Sequence, residues 1–246
     1  MTDWPAPAPE APTYIIGDIH GCADQLSALL EIVDNDVATH QFDEAQFVFV
    51  GDYVDRGAQS QDILTFLEDL SQTYEDRVTC LIGNHEEMML EFLEDPLGRA
   101  KSWLRYGGVQ TLASFGVSLP GSFEDPSTAA LLDASGDLRE ALGEARLSWL
   151  QDLPLAWVSG NLWVVHAGAD PACPMDEQVR KHLVWGHDAF FDTPRADGQW
   201  IAVGHTVVDA ASAENGIITT DTGAVYGHPM TAARVLPDGH VQFFSA

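Results

Sequence analysis

Five short stretches of this chain share one pattern: apolar residues that read as a strand, then a glycine close to side chains able to hold a cation. They are "YIIGDIHG" (14–21), "FVFVGDYVDRG" (47–57), "CLIGNHEEMML" (80–90), "LWVVHAGAD" (162–170) and "WIAVGHTVV" (200–208). In an extended backbone, side chains two apart point the same way, so Asp18 and His20 can converge just past their strand. Glycine at such a place lets the chain turn sharply and approach a ligand closely. In open α/β sheets ligands bind beyond the carboxyl ends of the strands, so five such ends can meet at one site. Each stretch has an ordinary explanation by itself, a strand-end histidine bonded to backbone or a salt-bridged turn. Their succession, each after an apolar strand, points instead to one constellation.

The elements around these stretches set the fold class. Strands are expected at 13–17, 46–51 and 78–83, alternating with helices at 24–37, 60–73 and 85–95. Such a βαβαβα start implies a mainly parallel sheet with right-handed crossovers. Leu26, Leu29, Leu30, Val33 and Val37 recur at helical spacing in the first helix. A helical region follows from about 99 to 152, broken by "LPGSFEDPS", and reads as a cap or insertion. Then the pattern changes. "LAWVSGNLWVVHAG" and "TAARVLPDGHVQFF" read as hairpins, with strands near 199–204 and 216–221 between them. The expected class is therefore α/β, with two sheets packed together and helices outside. Residues 1–12, "MTDWPAPAPEAP", read as a flexible extended tail of little fold value, and 13–246 as one domain.

Charge narrows the partners. Acidic residues number 38 against 11 basic, a formal charge of −27. Such a chain repels nucleic-acid backbones and anionic membrane surfaces, so neither is expected as a partner. No apolar run approaches the roughly 20 residues that span a bilayer. The first residues have neither a basic nor an apolar signal region. Cys22, Cys80 and Cys173 are far apart, which argues against a disulfide framework and for a reducing cytoplasm. If the substrate is an anion, local positive charge must overcome the field.

The motifs "GDIHG", "GDYVDRG", "GNHE", "HAG" and "GHT", with "DTGA" at 221–224 as support, resemble those of the calcineurin-like metallophosphoesterases, within them the phosphoprotein phosphatase branch. The resemblance spans about 17 to 224 and implies a two-sheet β-sandwich flanked by helices. It also implies two divalent metal ions, manganese first, with iron or zinc as the other choices. Asp18, His20 and Asp52 would hold one metal; Asp52 would bridge to the second, completed by Asn84, His166 and His205. Mixed carboxylate, amide and imidazole ligands suit these metals. A pair of cations roughly 3.5–4 Å apart can activate water and clamp an in-line displacement. They would also reverse the local field of an acidic chain. By the same resemblance His85 protonates the leaving oxygen, Asp55 orients its ring and Arg56 grips the phosphoryl oxygens. Asn84 and His187 join Arg56 in facing substrate.

One position departs from the branch. A second phosphate-binding arginine often follows a tryptophan, whereas "LVWGHDAFF" offers Trp185 and then His187. Either His187 or Arg195 is expected to stand in. Glu86 to Met89 read as helix start and core, and "WLRYGGVQTLASFG" (103–116) as a cap or rim segment. The first functional reading is a phosphomonoesterase acting on phosphoserine or phosphothreonine, with a phosphorylated protein or small phosphoester as partner. The second is a symmetrical hydrolase of dinucleoside tetraphosphates. That branch usually lacks a carboxylate at the place of Asp55 and has aspartate at the place of Glu86. The third is a scaffold that kept the fold and lost the chemistry.

Overall fold

Thr13–Ile16 forms β1, with all four residues buried, in a computed structural model that describes residues 4–246. Burial on both faces explains its unbroken apolar run. Ile15 faces the sandwich interior, while Tyr14 and Ile16 face the helices. Helix α1 (Ala23–His40), β2 (Gln46–Phe49), α2 (Ser60–Thr73) and β3 (Val78–Cys80) follow in the expected order. Helix α3 (Asn84–Glu94) starts directly on the "NHE" motif.

Strands β1, β2 and β3 are parallel neighbours. The sheet is nevertheless mixed, a correction to the mainly parallel expectation. The C-terminal hairpin of β9 (Thr231–Val235) and β10 (Val241–Ser245) returns to pair antiparallel with β1, giving the order β10-β9-β1-β2-β3. A βαβ pattern read from the first half leaves one flank of β1 open, and only this distant hairpin fills it. The second sheet has the order β4-β5-β6-β8-β7. It comprises β4 (Ala156–Ser159), β5 (Leu162–Val165), β6 (Trp200–Val203), β7 (Ala213–Glu214) and β8 (Ile217–Thr219). The two sheets bury Ile15, Val48, Leu81, Val164, Ala202 and Ile218 between them. This is the two-sheet α/β sandwich expected, with helices packed outside it.

The region read as an insertion contains α4 (Pro96–Trp103), a π-helical turn (Leu104–Gly108), α5 (Val109–Ser114) and the long α6 (Thr128–Gln151). Its Trp103, Leu138 and Leu150 are fully buried, in the same apolar cluster as Phe92 of α3. A short α7 (Arg180–Trp185) lies between β5 and β6. Among the described residues no helix is long and apolar enough to cross a membrane.

The tail expectation needs correction from Pro5 onward; its first three residues lie outside the described ones. Pro5 O accepts from Trp200 Nε1 (2.6 Å), and Ala6 O accepts from Asn161 Nδ2 (3.0 Å). Ala8 N donates to Asn161 Oδ1 (2.7 Å) and Glu10 N to Ser159 Oγ (2.8 Å). Pro7 and Pro9 are buried. This proline-rich segment is a strap along the second sheet that leads into β1. Proline suits it because the segment docks through the carbonyls of Pro5 and Ala6 and the N–H groups of Ala8 and Glu10, so the N–H that each proline lacks is not needed.

Candidate metal centre and active site

Two glycines show why the strand–glycine–polar order recurs. A Cβ on Gly83 would lie 2.2 Å from Asp52 Oδ1, and one on Gly204 would lie 2.0 Å from Asp18 Oδ1. The backbone after β3 and after β6 must press against these carboxylates, which only glycine allows. Seven non-glycine residues have positive φ among the described ones, and five are site residues: His20, Asp52, Asp55, Arg56 and His205. Such strain persists only where the surroundings over-determine it, and it concentrates at functional sites.

The over-determination is visible. Ile19 N and His20 N both donate to Asp52 O (3.1 and 2.8 Å), and Gly21 N donates to Tyr53 O (2.9 Å). The Glu86 carboxylate, fully buried, accepts four backbone N–H bonds, from Asp52 (2.8 Å), Tyr53 (2.7 Å), Val54 (3.1 Å) and Gly83 (2.9 Å). Burial and the neighbouring Asp52 push its carboxyl up to about 7, against the pull of those donors. Sequence reasoning assigned Glu86 to helix start and core. It stands in that first turn and is fully buried, and it is in addition the clamp of the "GDYVDRG" loop, signalled only by its place as the third residue of α3, where a glutamate can reach back.

The six expected ligands come together. His20 Nδ1 lies 2.8 Å from Val54 O, and His166 Nδ1 lies 3.0 Å from Val50 O. A carbonyl accepts only from an N–H, so each ring turns Nε2 inward, the usual support of a metal-binding imidazole. Asp52 is shared: Oδ2 lies 3.5 Å from His20 Nε2 and Oδ1 3.3 Å from His166 Nε2. His20, Asp52 and His85 form one group of converging donors; Asp52, His166 and His205 form another. Asn84 Oδ1 lies 2.9 Å from His166 Nε2 and 2.8 Å from His205 Nδ1. Asp18 accepts from His205 N (3.0 and 3.1 Å) and completes the side nearest Asp221.

The electrostatics fit divalent cations. Burial and the charges of Asp221 and Asp52 push the Asp18 carboxyl well up. Asp221, 5 % exposed, is raised too, by burial and Asp52. Burial lowers His20 to about 3 against the attraction of Asp52, and burial and His166 lower His205 to about 4. Both rings therefore offer lone pairs. His166 goes the other way: Asp52 outweighs burial and lifts it to about 9. With Nδ1–H given to Val50, a neutral His166 would aim a lone pair at the Asn84 oxygen, an arrangement that needs a proton or a cation between them. Crowded carboxylates, inward imidazoles and an amide oxygen make a donor set suited to manganese, iron or zinc.

Beside this cluster His85 Nδ1 meets Asp55 Oδ2 at 2.6 Å. Burial alone would lower the imidazole, but Asp52 and Asp55 outweigh it and hold His85 above its ordinary value. Its Nε2 lies 3.9 Å from Asp52 Oδ2. A cleft of about 230 Å³ opens over Asp52, Asn84, His85 and His205, with Arg56 on its wall and Tyr106 and Trp185 at its rim. Arg56 Nη1 donates to His20 Nε2 (2.6 Å), so a cation at that lone pair requires the guanidinium to swing toward the cleft.

The structure does not bring the second cationic group to this cleft. His187 is not among its lining residues. Its ring packs edge-on to His182, its Nδ1 accepts from Ala189 N (3.2 Å), and its Nε2 faces Asp170 at 3.9 Å. Gly186 has φ 84°, and the chain turns there so that His187 folds back on α7. Arg195 is spent on Asp197 and on the carbonyls of Asp170 and Cys173 (2.9 Å each). Trp185 does reach the rim, where its Nε1 is tied to Glu87.

The profile of the calcineurin-like phosphoesterase family matches residues 11–215. The asymmetrical bis(5'-nucleosyl)-tetraphosphatase PrpE of Bacillus subtilis is 28 % identical over 243 residues, covering 89 % of both chains. A symmetrical bis(5'-nucleosyl)-tetraphosphatase of Coxiella burnetii is 30 % identical over 171 residues, 68 % of this chain and 45 % of its own. Among solved structures, one whose assignment as a diadenosine tetraphosphatase is provisional superposes with a TM-score of 0.64 at 20 % identity, covering 96 % of this chain and 94 % of its own.

Proposed function

Since the chain belongs to the calcineurin-like phosphoesterase family, we propose that it is a two-metal hydrolase of phosphomonoesters, acting on phosphoserine and phosphothreonine side chains. The observation that carries this substrate class is the buried Asp55–His85 pair, 2.6 Å apart, with His85 at the floor of the cleft. A serine alkoxide is a poor leaving group and needs a proton as it departs. A positioned acid contributes typically 10²–10⁴-fold to such a step.

Two divalent cations, manganese first, held by Asp18, His20 and Asp52 and by Asp52, Asn84, His166 and His205, would supply Lewis-acid polarisation of the phosphoryl group and activation of water. The remaining work belongs to side chains. Arg56 carries a planar fork that matches two phosphoryl oxygens. The Tyr226 ring, 5.7 Å from its guanidinium carbon, backs it. His85 holds its proton at Nε2 toward the leaving oxygen, and Asp55 stabilises the imidazolium at Nδ1. As the phosphoryl group transfers, the ester P–O bond breaks and a P–O bond to water forms; the proton of His85 neutralises the departing alkoxide, and the proton given up by the attacking water passes to solvent, from which His85 is reprotonated. Asn84 and His85 are consecutive at the start of α3, so one helix end aligns a ligand and the acid.

A second reading, hydrolysis of dinucleoside tetraphosphates, is favoured by the name of the Bacillus relative and by the exposed rings at the cleft. Tyr106 and Trp185, which line it, are 55 and 40 % exposed, and Tyr226, beside Arg56, is 60 % exposed. Aromatic faces of this kind stack on bases. Its anhydride leaving groups need no acid, so it leaves the Asp55–His85 pair without a task. The deciding experiment is turnover of a phosphoserine peptide and of diadenosine tetraphosphate by chelated protein with manganese restored. A higher kcat/KM on the peptide is expected. Preference for the tetraphosphate would install the second reading, with product analysis separating symmetrical from asymmetrical cleavage. Turnover of neither would leave the scaffold.

A further inference from the structure

Besides His85, the Asp55 side chain is held from the helical segment 96–114. Its Oδ1 accepts from Thr111 Oγ1 (2.6 Å), and the Trp103 Nε1–H lies 3.0 Å from both carboxylate oxygens. Its own N–H donates to Thr111 Oγ1 (2.9 Å), with Ser60 Oγ at 3.2 Å. Asp55, Ser60, Trp103 and Thr111 are each 0 % exposed. Trp103 ends α4 and Thr111 lies in α5, and between them Gly107 O accepts from Arg56 N (3.3 Å). Asp55 and Arg56 have φ of 73° and 66°, so this dipeptide does not hold its conformation unaided.

We infer that Trp103 and Thr111 are positioning residues for the acid: they fix the Asp55 carboxylate so that Oδ2 stays turned to His85. Neither lines the cleft. A buried carboxylate with a single partner could rotate about its terminal torsion, which is broad and nearly two-fold. Three donors remove that freedom. Thr111 is the more stringent of the two, since its hydroxyl accepts from the Asp55 N–H and donates to the carboxylate of the same residue. Backbone and side chain are thereby locked together. The segment 96–114 is then a device that holds the proton donor at the mouth of the metal cluster. This inference rests on the reading of His85 as the acid.

The test uses full-length Trp103→Phe, Thr111→Val and Thr111→Ser, with His85→Asn as reference, on a phosphoserine peptide and on nitrophenyl phosphate at fixed free manganese. Nitrophenolate leaves without a proton, so only the peptide reaction needs the acid. Thr111→Val is expected to lower kcat on the peptide about tenfold or more, a part of the full contribution of an acid. The loss on nitrophenyl phosphate should stay within about threefold, KM and metal content should hold, and Thr111→Ser should restore the peptide rate. Trp103→Phe should behave like Thr111→Val to a smaller degree. If His85→Asn itself fails to distinguish the two substrates, the acid reading falls and this inference with it. If His85→Asn distinguishes them but Thr111→Val does not, only the inference is overturned. Should Trp103→Phe not fold, the valine–serine pair at 111 decides alone.

Discussion

Tyr14 and Asp18 are four residues apart on and just beyond β1, yet they sit in opposite kinds of polar cluster. Tyr14 Oη donates to Asp36 Oδ2 at 2.5 Å, and Arg234 Nη1 reaches the same oxygen at 2.5 Å. The Arg234 guanidinium carbon lies 5.7 Å from the rings of Phe42 and Phe244. Opposite charges meet, and Asp36 is held below its ordinary value by Tyr14 and Arg234 although burial opposes them. Around Asp18, like charges meet instead, and strained backbone surrounds them. The first cluster ties α1 to β1 and β9 and stabilises the fold. The second stores unfavourable energy that a bound cation would release. Local rules are broken where function sits and kept elsewhere.

The largest effect expected from this contrast is on turnover. Asp52→Asn turns the shared carboxylate into an amide between the two donor groups. It should reduce kcat by at least about 10²–10³-fold, the scale of one lost electrostatic stabiliser. The metal-free variant should keep a melting temperature within a few degrees of the parent. Full activity with parental metal content would remove Asp52 from its shared role.

Next comes stability without turnover. Asp36→Asn strands Arg234, 4 % exposed, without its counter-charge. Breaking such a pair costs about 3 kcal/mol or more, read by urea unfolding, while kcat of the folded variant stays at the parental value. The gap between parent and variant should depend on pH. Asp36 is depressed in the folded state, so its contribution is fully present above the ordinary carboxylate pKa and is lost as pH falls through the lower folded value. Unfolding curves at pH 7, 5 and 3 should therefore converge at the acid end. A constant gap would mean that Asp36 acts by shape rather than charge.

Cations should affect the two clusters unequally. Manganese at about 100 times its dissociation constant stabilises a folded site by about 2.7 kcal/mol, and this should appear as a rise in the parent's melting temperature. Asp18→Asn removes one of the crowded carboxylates. Its metal-free form should be at least as stable as the parent's, and its manganese shift smaller. An equal shift in both proteins would take Asp18 out of the ligand set.

The same contrast explains what the sequence discloses. Gly83 and Gly204 are legible because contact with Asp52 and Asp18 permits no other residue, and the ligands follow each glycine within a residue or two. Asp55 and Arg56 are legible as part of a motif with no gap. The partners of Asp55 are not, because Trp103 and Thr111 lie about 50 residues on and carry only an apolar helical pattern. Glu86 is hidden for a different reason: a glutamate in the first helical turn is ordinary on any surface helix, and only burial gives it four donors. The strap of residues 5–12 is hidden because its bonds run to Ser159, Asn161 and Trp200, through backbone groups that any sequence possesses. Local chemistry is readable; long-range hydrogen bonding is not.

The smallest expected effect concerns His187. Sequence position makes it the replacement for a phosphate-binding arginine, and an imidazole in that place would make phosphate binding pH-sensitive. In the fold it faces Asp170 and His182, with the Ala189 N–H filling its Nδ1. The tryptophan two positions earlier is the one that reaches the cleft. Without a second arginine or a lysine among the lining residues, Arg56 and the metal centre carry the phosphate. His187→Ala should accordingly change KM by less than about twofold between pH 6 and 8, whereas Arg56→Ala should raise KM and lower kcat together, because positioning and charge stabilisation are lost at once. A KM for His187→Ala that rises most at acid pH would show that the 182–187 turn swings His187 onto substrate. Trp185 would then have to leave Glu87, to which its Nε1 is tied, so removing that acceptor with Glu87→Ala should ease the swing and sharpen the difference.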